Sequence, residues 1–167
     1  MKQDRVGWVL LWLSVLGFGS MSVSFLLMPI EGLELLPGIL FWGGMLIGLS
    51  FQIALEARRR VFFRRYNTKR ERMQKPLNGF LSFAANKAAL VADCILAVSI
   101  VATILAFLLT KGTGYVCYVC IAVMLMSFCM HCVLNGRNYF HLNNQNRVRQ
   151  VLETRRESNL EKGEGTK

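Results

Sequence analysis

Four long apolar runs divide this chain, and each has about the length of a helix that crosses a lipid bilayer. The runs cover residues 6–28, 35–55, 88–110 and 115–134. The first two hold no charged side chain, the third holds only Asp93, and the fourth holds one histidine, His131. Runs near 20 residues match a hydrocarbon layer about 30 Å thick. Helices are expected because a lipid-exposed strand would leave backbone groups unpaired. The pattern predicts an all-α integral membrane four-helix bundle.

The connections between the runs differ sharply in charge. Residues 29–34 contain Glu31 and Glu34 but no cation, and residues 111–114 contain one cation, Lys111. Residues 56–87 contain ten cations, the amino end adds two, and the segment after residue 134 adds seven. Basic residues accumulate in the cytoplasmic loops of membrane proteins. The distribution therefore predicts a multi-pass protein of the cell (plasma) membrane, with both termini and the 56–87 loop in the cytoplasm.

The length of 167 residues suits one domain, in which a hydrophobic fraction of 53% coexists with a net charge of +10. We expect a membrane domain over residues 1–142 and a polar cytoplasmic tail over 143–167. Val148, Val151 and Leu152 form a short apolar stripe in the tail, and disorder is expected over 161–167. A cleaved signal peptide is the alternative interpretation of the first run, which lacks an A-x-A cleavage pattern.

The 56–87 loop begins with a segment that continues the second run as a basic helix, with Phe62 and Tyr66 near one face. Such a helix would lie at the headgroup boundary. It predicts binding to anionic lipid headgroups or to an acidic protein partner, in the membrane or in the cytoplasm. Plain anchoring of the topology is the alternative, and nucleic acid is disfavoured because no nucleic-acid fold signature accompanies the charge. The candidate residues are Arg58, Arg59, Arg60, Arg64, Arg65, Lys69, Arg70 and Arg72.

Small residues indicate where the helices pack, because helices in lipid associate through close contact of small side chains. The second run contains Gly44 and Gly48 at GxxxG spacing, and the first contains Gly17, Ser20 and Ser24. These positions favour packing within the chain, although a GxxxG pair also occurs in dimers. A ladder at i, i+4 spacing begins just before the third run and continues into it, and it consists of Ala85, Ala89, Asp93 and Ala97.

Asp93 and His131 are the polar side chains whose depth in the bilayer calls for an explanation. Asp93 lies about 9 Å from the basic end of its run at 1.5 Å per residue, and His131 lies at a similar depth on the neighbouring run. The short turn between the two runs makes a pair geometrically feasible. Such a pair could serve a proton relay or a small ion transporter, or it could be a buried structural pair.

Four of the five cysteines, Cys117, Cys120, Cys129 and Cys132, lie on the last run, and the fifth is Cys94. Sulfur ligands suit copper or zinc, but Cys120 and Cys129 are about 13 Å apart along a helix and cannot share one ion. Buried cysteines are also ordinary packing residues. We therefore expect no metal and no cofactor.

The Cys117–Cys120 pair at the outer end of the last run resembles the four-helix membrane thiol oxidoreductases of the vitamin K epoxide reductase and DsbB types. The resemblance implies a quinone-facing redox pair at Cys117 and Cys120. Those enzymes pass electrons through a second cysteine pair in an outer loop, and the outer connections of this chain contain no cysteine.

The leading functional interpretation is a non-catalytic subunit or scaffold of a membrane complex, with a basic cytoplasmic face. A membrane thiol–disulfide oxidoreductase and a small ion or metal transporter are the alternatives. No phosphate-binding loop, nucleophile–base pair or metalloprotease motif occurs in the sequence.

Overall fold

A computed structural model describes residues 4–66, 78–112 and 114–164, and all regular structure in these ranges is helical. The six helices are α1 (Arg5–Leu27), α2 (Leu35–Arg65), α3 (Lys87–Thr110), α4 (Tyr115–Leu134), α5 (Arg137–Asn143) and α6 (Gln145–Glu164). The all-α prediction is confirmed. The first four helices are long and apolar enough to cross a membrane, and they fit a multi-pass membrane protein.

Helix α2 has the predicted basic extension, whereas the tail differs from the prediction. The helix that begins with the second apolar run continues through the basic segment to Arg65, so α2 has 31 residues. The tail forms a helix that reaches Glu164, beyond residue 161, where disorder is expected. Val148 and Leu152 on this helix are buried, whereas Val151 is exposed. The apolar stripe of the tail therefore packs against the rest of the chain through two of its three residues.

The long helices lie in the spatial order α2, α1, α4, α3. Helix α1 packs against α2 and α4, and α3 packs against α4. In the described ranges, no Cα atom of α2 lies within 8 Å of one in α3. A closed four-helix bundle would also require contact between α2 and α3. The four long helices instead form a row, in which α2 and α3 are the outer helices and each contacts one long neighbour.

Glycine makes the contact between α1 and α2 unusually close. A Cβ atom at Gly17 would lie 2.5 Å from the backbone nitrogen of Gly48, and one at Gly44 would lie 2.5 Å from the carbonyl oxygen of Gly17. The hydroxyl of Ser14 donates to the carbonyl of Gly48 at 3.2 Å, and that of Ser20 donates to the carbonyl of Leu40 at 3.2 Å. Gly44 and Gly48 therefore serve packing within the chain.

The main apolar core lies toward the end where α1 begins and α2 and α4 end. Leu11, Val15, Leu55, Val133 and Leu142 form this core cluster. Burial of large apolar side chains is favourable where the alternative is water. Inside lipid that driving force is absent, and small residues make the contacts. Leu11, Val15, Leu55 and Val133 belong to the apolar runs, so this core extends from the helix ends into the part of the molecule that suits lipid.

Large apolar side chains are exposed along the rest of the long helices. Leu35, Val98 and Leu109 are 81%, 70% and 83% exposed. A protein surrounded by water rarely exposes apolar patches of this extent. Hydrocarbon solvates such a surface without cost, so the outer faces of the helices suit contact with lipid.

The glycine contact yields a test of helix packing. We expect Gly44→Ala to destabilise the protein by roughly 1–3 kcal/mol, because the added methyl group overlaps the side chain of Ser20. The neighbouring substitution Gly43→Ala is the matched control, since a Cβ at Gly43 meets nothing within 4 Å. Thermal unfolding in detergent micelles measures the difference. Equal unfolding temperatures for the two variants would contradict the α1–α2 contact.

Candidate functional site

Asp93, His131 and the described cations of the basic segment lie toward the end of the molecule where α1 and α3 begin and α2 and α4 end. Two arrangements occur there. The first is a polar cluster around Asp93 that attaches the segment 78–86 to α3 and α4. The second is a basic cleft between α1, α2, α5 and α6. The polar cluster shapes the end of α4 from which α5 departs.

Asp93 lies at the centre of the polar cluster and accepts three hydrogen bonds or ion-pair contacts. Its Oδ1 atom lies 2.6 Å from Nδ1 of His131 and 3.0 Å from Nδ2 of Asn135. Its Oδ2 atom accepts from the backbone N–H of Ala84 at 2.7 Å. Ala84 has a φ of 50°, a conformation that residues with a Cβ atom seldom adopt. The carboxylate therefore holds a strained loop residue in place.

Asn135 completes the attachment of the loop. Its Oδ1 atom accepts from the backbone N–H of Ala85 at 3.1 Å, and its Nδ2 atom donates to the carbonyl of His131 at 3.1 Å. Asn86 caps α3 by accepting from the N–H of Ala89, and its amide donates to the carbonyl of Leu134. Each polar side chain thus satisfies backbone groups at a helix end or in the loop, as buried polar groups require.

His131 is enclosed on its other sides by aromatic rings. The ring centroids of Phe83 and Phe128 lie 4.8 Å and 6.3 Å from that of His131, and His131 is 1% exposed. Sequence reasoning considered Asp93 and His131 as a pair but missed Asn135, which is completely buried. The signal that could have identified Asn135 is its position four residues after His131, on the same face of α4.

The basic cleft has a volume of about 940 Å³ and opens between the beginning of α1, the end of α2 and the two terminal helices. Apolar side chains such as Leu55, Phe62 and Leu142 contribute to its walls. Five arginines line the cleft, and the acid among its lining residues is Asp4. The arginines are Arg5, Arg58, Arg59, Arg65 and Arg149.

Asp4 joins the beginning of α1 to α2. Its carboxylate accepts from the guanidinium of Arg58 at 2.8 Å and from the backbone N–H of Gly7 at 2.9 Å, so it also caps α1. The hydrogen bond from Arg58 lowers the pKa of Asp4, and the bond from Gly7 acts in the same direction. Asp4 is therefore ionised at neutral pH, and it neutralises one of the five cleft arginines.

His141 forms a buried part of the cleft wall on α5. Its ring contacts Phe62 and Phe63, with centroids 4.7 Å and 5.5 Å away. Burial and the positive charge of Arg59 lower the pKa of His141 to about 4, although the carboxylate of Asp4 opposes the shift. His141 is therefore neutral at physiological pH. Its Nδ1 atom is buried and has no hydrogen-bond partner within the ranges that the structure describes.

Five of the eight candidate cations of the basic segment belong to the described residues. Arg59 and Arg60 contact the carboxylate of Glu56 at 2.6 Å and 3.2 Å. Arg64 is exposed and does not line the cleft. The predicted residues Lys69, Arg70 and Arg72 lie outside the described residues. Among the eight candidate cations of the basic segment, Arg58, Arg59 and Arg65 line the cleft.

The cysteines are free thiols distributed along α3 and α4. Cys117 is buried and Cys120 is partly buried, at the end of α4 opposite the basic cleft. The redox interpretation of this pair stays a prediction. Within the ranges that the structure describes, no group of three or more His, Cys, Asp or Glu side chains is arranged to hold a metal ion.

The polar cluster predicts a specific loss when its central carboxylate is removed. We expect Asp93→Ala to destabilise the protein by about 1–3 kcal/mol, because buried donors on His131 and Asn135 lose their acceptor. The amides of residues 84 and 85 should exchange hydrogen faster, which hydrogen–deuterium exchange measures. Cys94→Ala, an exposed neighbour on α3, is the control. Unchanged exchange in Asp93→Ala would mean that the carboxylate does not hold the loop.

The buried imidazole of His141 predicts a dependence of stability on pH. The pKa of His141 falls from 6.5 to about 4 on folding. Between these values the unfolded chain binds a proton that the folded protein does not, so stability decreases as the pH falls through this window. In His141→Phe this contribution is absent. Unfolding temperatures in micelles at pH 7 and pH 4.5 should therefore differ more for the wild type than for the variant. Equal differences would show that His141 titrates normally.

Comparisons with known proteins identify no relative of this chain. No protein-family model, no curated protein and no solved structure matches it. The function is therefore argued from the chain's own geometry: a polar cluster that fixes a loop to α3 and α4, and beside it a cleft with five arginines and one acid.

Proposed function

We propose that this chain is a non-catalytic subunit or scaffold of a membrane complex, which presents a basic cytoplasmic end to anionic lipid headgroups. Four helices cross the cell membrane, and both termini lie in the cytoplasm. The basic end comprises the start of α1, the end of α2, the loop before α3, and helices α5 and α6. The same surface suits an acidic segment of a protein partner in the membrane complex.

The observation that carries this proposal is the segregation of charge between the two ends of the long helices. Arg5, Arg65 and Lys87 mark the basic end at the boundaries of three helices. The connections at the other end carry Glu31 and Glu34 on one side and Lys111 on the other. Because cations favour the cytoplasmic side, this asymmetry supports an orientation with the basic end inside.

The number of cations favours a role beyond orientation. Each Lys or Arg near an anionic leaflet contributes about 1 kcal/mol, and the effect decays over a Debye length. The amino end and the 56–87 loop together hold twelve cations. A positive-inside bias alone needs only a few basic residues at each helix end. The excess supports a surface that binds anionic groups.

The contacts inside the protein support a scaffold over a transporter. Asp93 and His131 contact one another, and Asp93 also binds Asn135 and the backbone of Ala84. These contacts occupy both carboxylate oxygens with groups of the protein itself. A carboxylate that carries an ion or a proton across a membrane must exchange its partners. The cluster is better suited to holding the loop.

The proposed orientation predicts the outcome of reporter fusions in a bacterial host. Alkaline phosphatase folds only outside the cytoplasm, where its disulfides form. We expect phosphatase activity from a fusion after Gly112, and none from fusions after Tyr66 or at the carboxyl terminus. A fluorescent protein that folds in the cytoplasm should give the opposite pattern at the same three positions.

Lys111→Gln is the control for the role of charge in the proposed orientation. It removes a cation from the outer connection and should leave the fusion pattern unchanged, because the excess of cations is at the other end of the molecule. Phosphatase activity at the carboxyl terminus of the wild-type chain would refute the proposed orientation.

A further inference from the structure

We propose that the basic cleft is a binding site for the phosphate group of an anionic ligand. The proposal deepens the proposed function and relies on it only for the side of the membrane from which the ligand comes. The cleft lies between Asp4 at the start of α1, the last three turns of α2, and the helices α5 and α6. Two independent features of this cleft point to a phosphate.

The first feature is an excess of positive charge that the protein does not neutralise. In the part of the chain that the structure describes, Asp4 pairs with Arg58 and Glu56 pairs with Arg59. Arg5, Arg65 and Arg149 line the cleft, and no ion pair joins any of them to a described carboxylate. Three cations around one cavity repel each other unless an anion binds between them.

The second feature is a set of buried polar atoms that have no hydrogen-bond partner among the described residues. His141 is 7% exposed, and its Nδ1 atom belongs to this set. The Nε atom of Arg149 belongs to it as well. Native proteins rarely leave such groups unsatisfied without a reason. Both residues line the same cleft, so a ligand in the cleft lies beside both.

The chemistry of these groups selects a phosphate. An arginine guanidinium presents several N–H donors in a plane and binds phosphate oxygens in pairs. A neutral imidazole can donate a further hydrogen bond from Nδ1. A phosphate has enough oxygen atoms to accept from Arg65, Arg149 and His141 together. A carboxylate, which has two oxygens, would leave part of this donor set unused.

The size and walls of the cleft indicate a ligand larger than inorganic phosphate. Its volume of about 940 Å³ lies in the range of small-molecule sites, about 300–1,000 Å³. The cleft also contains the apolar side chains of Val6, Leu55 and Val61. A phosphate ester fits this combination of charged and apolar walls. The ester is either the headgroup of a phospholipid or a soluble metabolite of the same chemistry.

The test uses the full chain in nanodiscs and two pairs of substitutions with equal charge change. The cleft pair is Arg65→Gln with Arg149→Gln, and both side chains line the cavity. The control pair is Arg64→Gln with Arg147→Gln, exposed positions on the same two helices that do not line it. Thermal unfolding verifies the fold, and the single variant Arg65→Gln, an exposed position, replaces the cleft pair if that pair does not fold.

Two probes distinguish the sources of the phosphate. In discs of phosphatidylcholine with a small fraction of phosphatidic acid, native mass spectrometry measures how much phosphatidic acid remains bound. In discs of phosphatidylcholine alone, calorimetric titration with glycerol 3-phosphate measures binding of a soluble ester. We expect saturable binding of at least one probe, with a tenfold or greater loss of affinity in the cleft pair and less than a twofold loss in the control pair.

The other outcomes contradict the proposal. Equal losses in the two pairs would show that diffuse surface charge, and not the cleft, attracts the anion. The absence of saturable binding to both probes would show that the cleft is not a phosphate site. Neither result changes the membrane orientation, which the reporter fusions measure separately. Conversely, saturable binding in a protein whose basic end faces outward would overturn the proposed function and leave the cleft assignment standing.

Discussion

The exclusion of charge from hydrocarbon is the constraint on which the rest of this structure depends. The four apolar runs account for about half of the chain, and Asp93 is the one Asp, Glu, Lys or Arg within them. Because an unpaired charge inside a bilayer is costly, the other charged side chains are confined to the chain outside these runs. Nineteen of the twenty cations belong to the amino end, the 56–87 segment and the chain after residue 134. One end of the row of helices thereby becomes a concentrated basic surface, and the other stays small and nearly uncharged.

The same boundary between lipid and water explains where different kinds of packing occur. Within the apolar part, α1 and α2 approach through Gly17, Gly44 and Gly48, because lipid supplies no hydrophobic force between helices. At the basic end, a core of larger side chains forms beneath the cleft. The Asp93 cluster lies near this boundary on the neighbouring helix pair, where it fixes the segment 78–86 to the helix ends. The rigid core and the fixed loop together hold the basic groups in place.

Much of the fold follows from the sequence because its signals are local. Run length and charge predict four long helices whose observed bounds differ by few residues, and the predicted basic extension of α2 reaches Arg65. The order in which the helices lie side by side depends on contacts between distant parts of the chain. Residue spacing alone therefore predicts neither the row of helices nor the buried face of α3. The i, i+4 ladder predicts that Ala85 and Ala97 lie on the packed face, but both are exposed. The buried residues follow a 3,4 spacing instead, namely Ala89, Ala92, Leu96, Ser99 and Ala106.

The sequence predicts that the candidate site is basic, but it does not predict the cleft that the basic residues line. The sequence identifies the basic segment, including Arg58, Arg59 and Arg65, but the cleft also needs Arg5, His141 and Arg149 from distant parts of the chain. Their convergence depends on how α5 turns at Gly136 and packs on α2, a tertiary contact without a sequence signature. Asn135 is a similar case, because its role depends on the loop that it binds.

If the basic end of this protein selects anionic lipid, as we propose, lipids of that class are enriched around it. The full chain would be placed in nanodiscs containing equal amounts of phosphatidylcholine and phosphatidylglycerol, and the lipids retained after mild extraction would be counted by mass spectrometry. We expect an excess of phosphatidylglycerol that decreases as salt rises from 0.05 M to 0.5 M, where the Debye length shortens to about 4 Å. Retained lipid in the same ratio as the bulk at every salt concentration would contradict it.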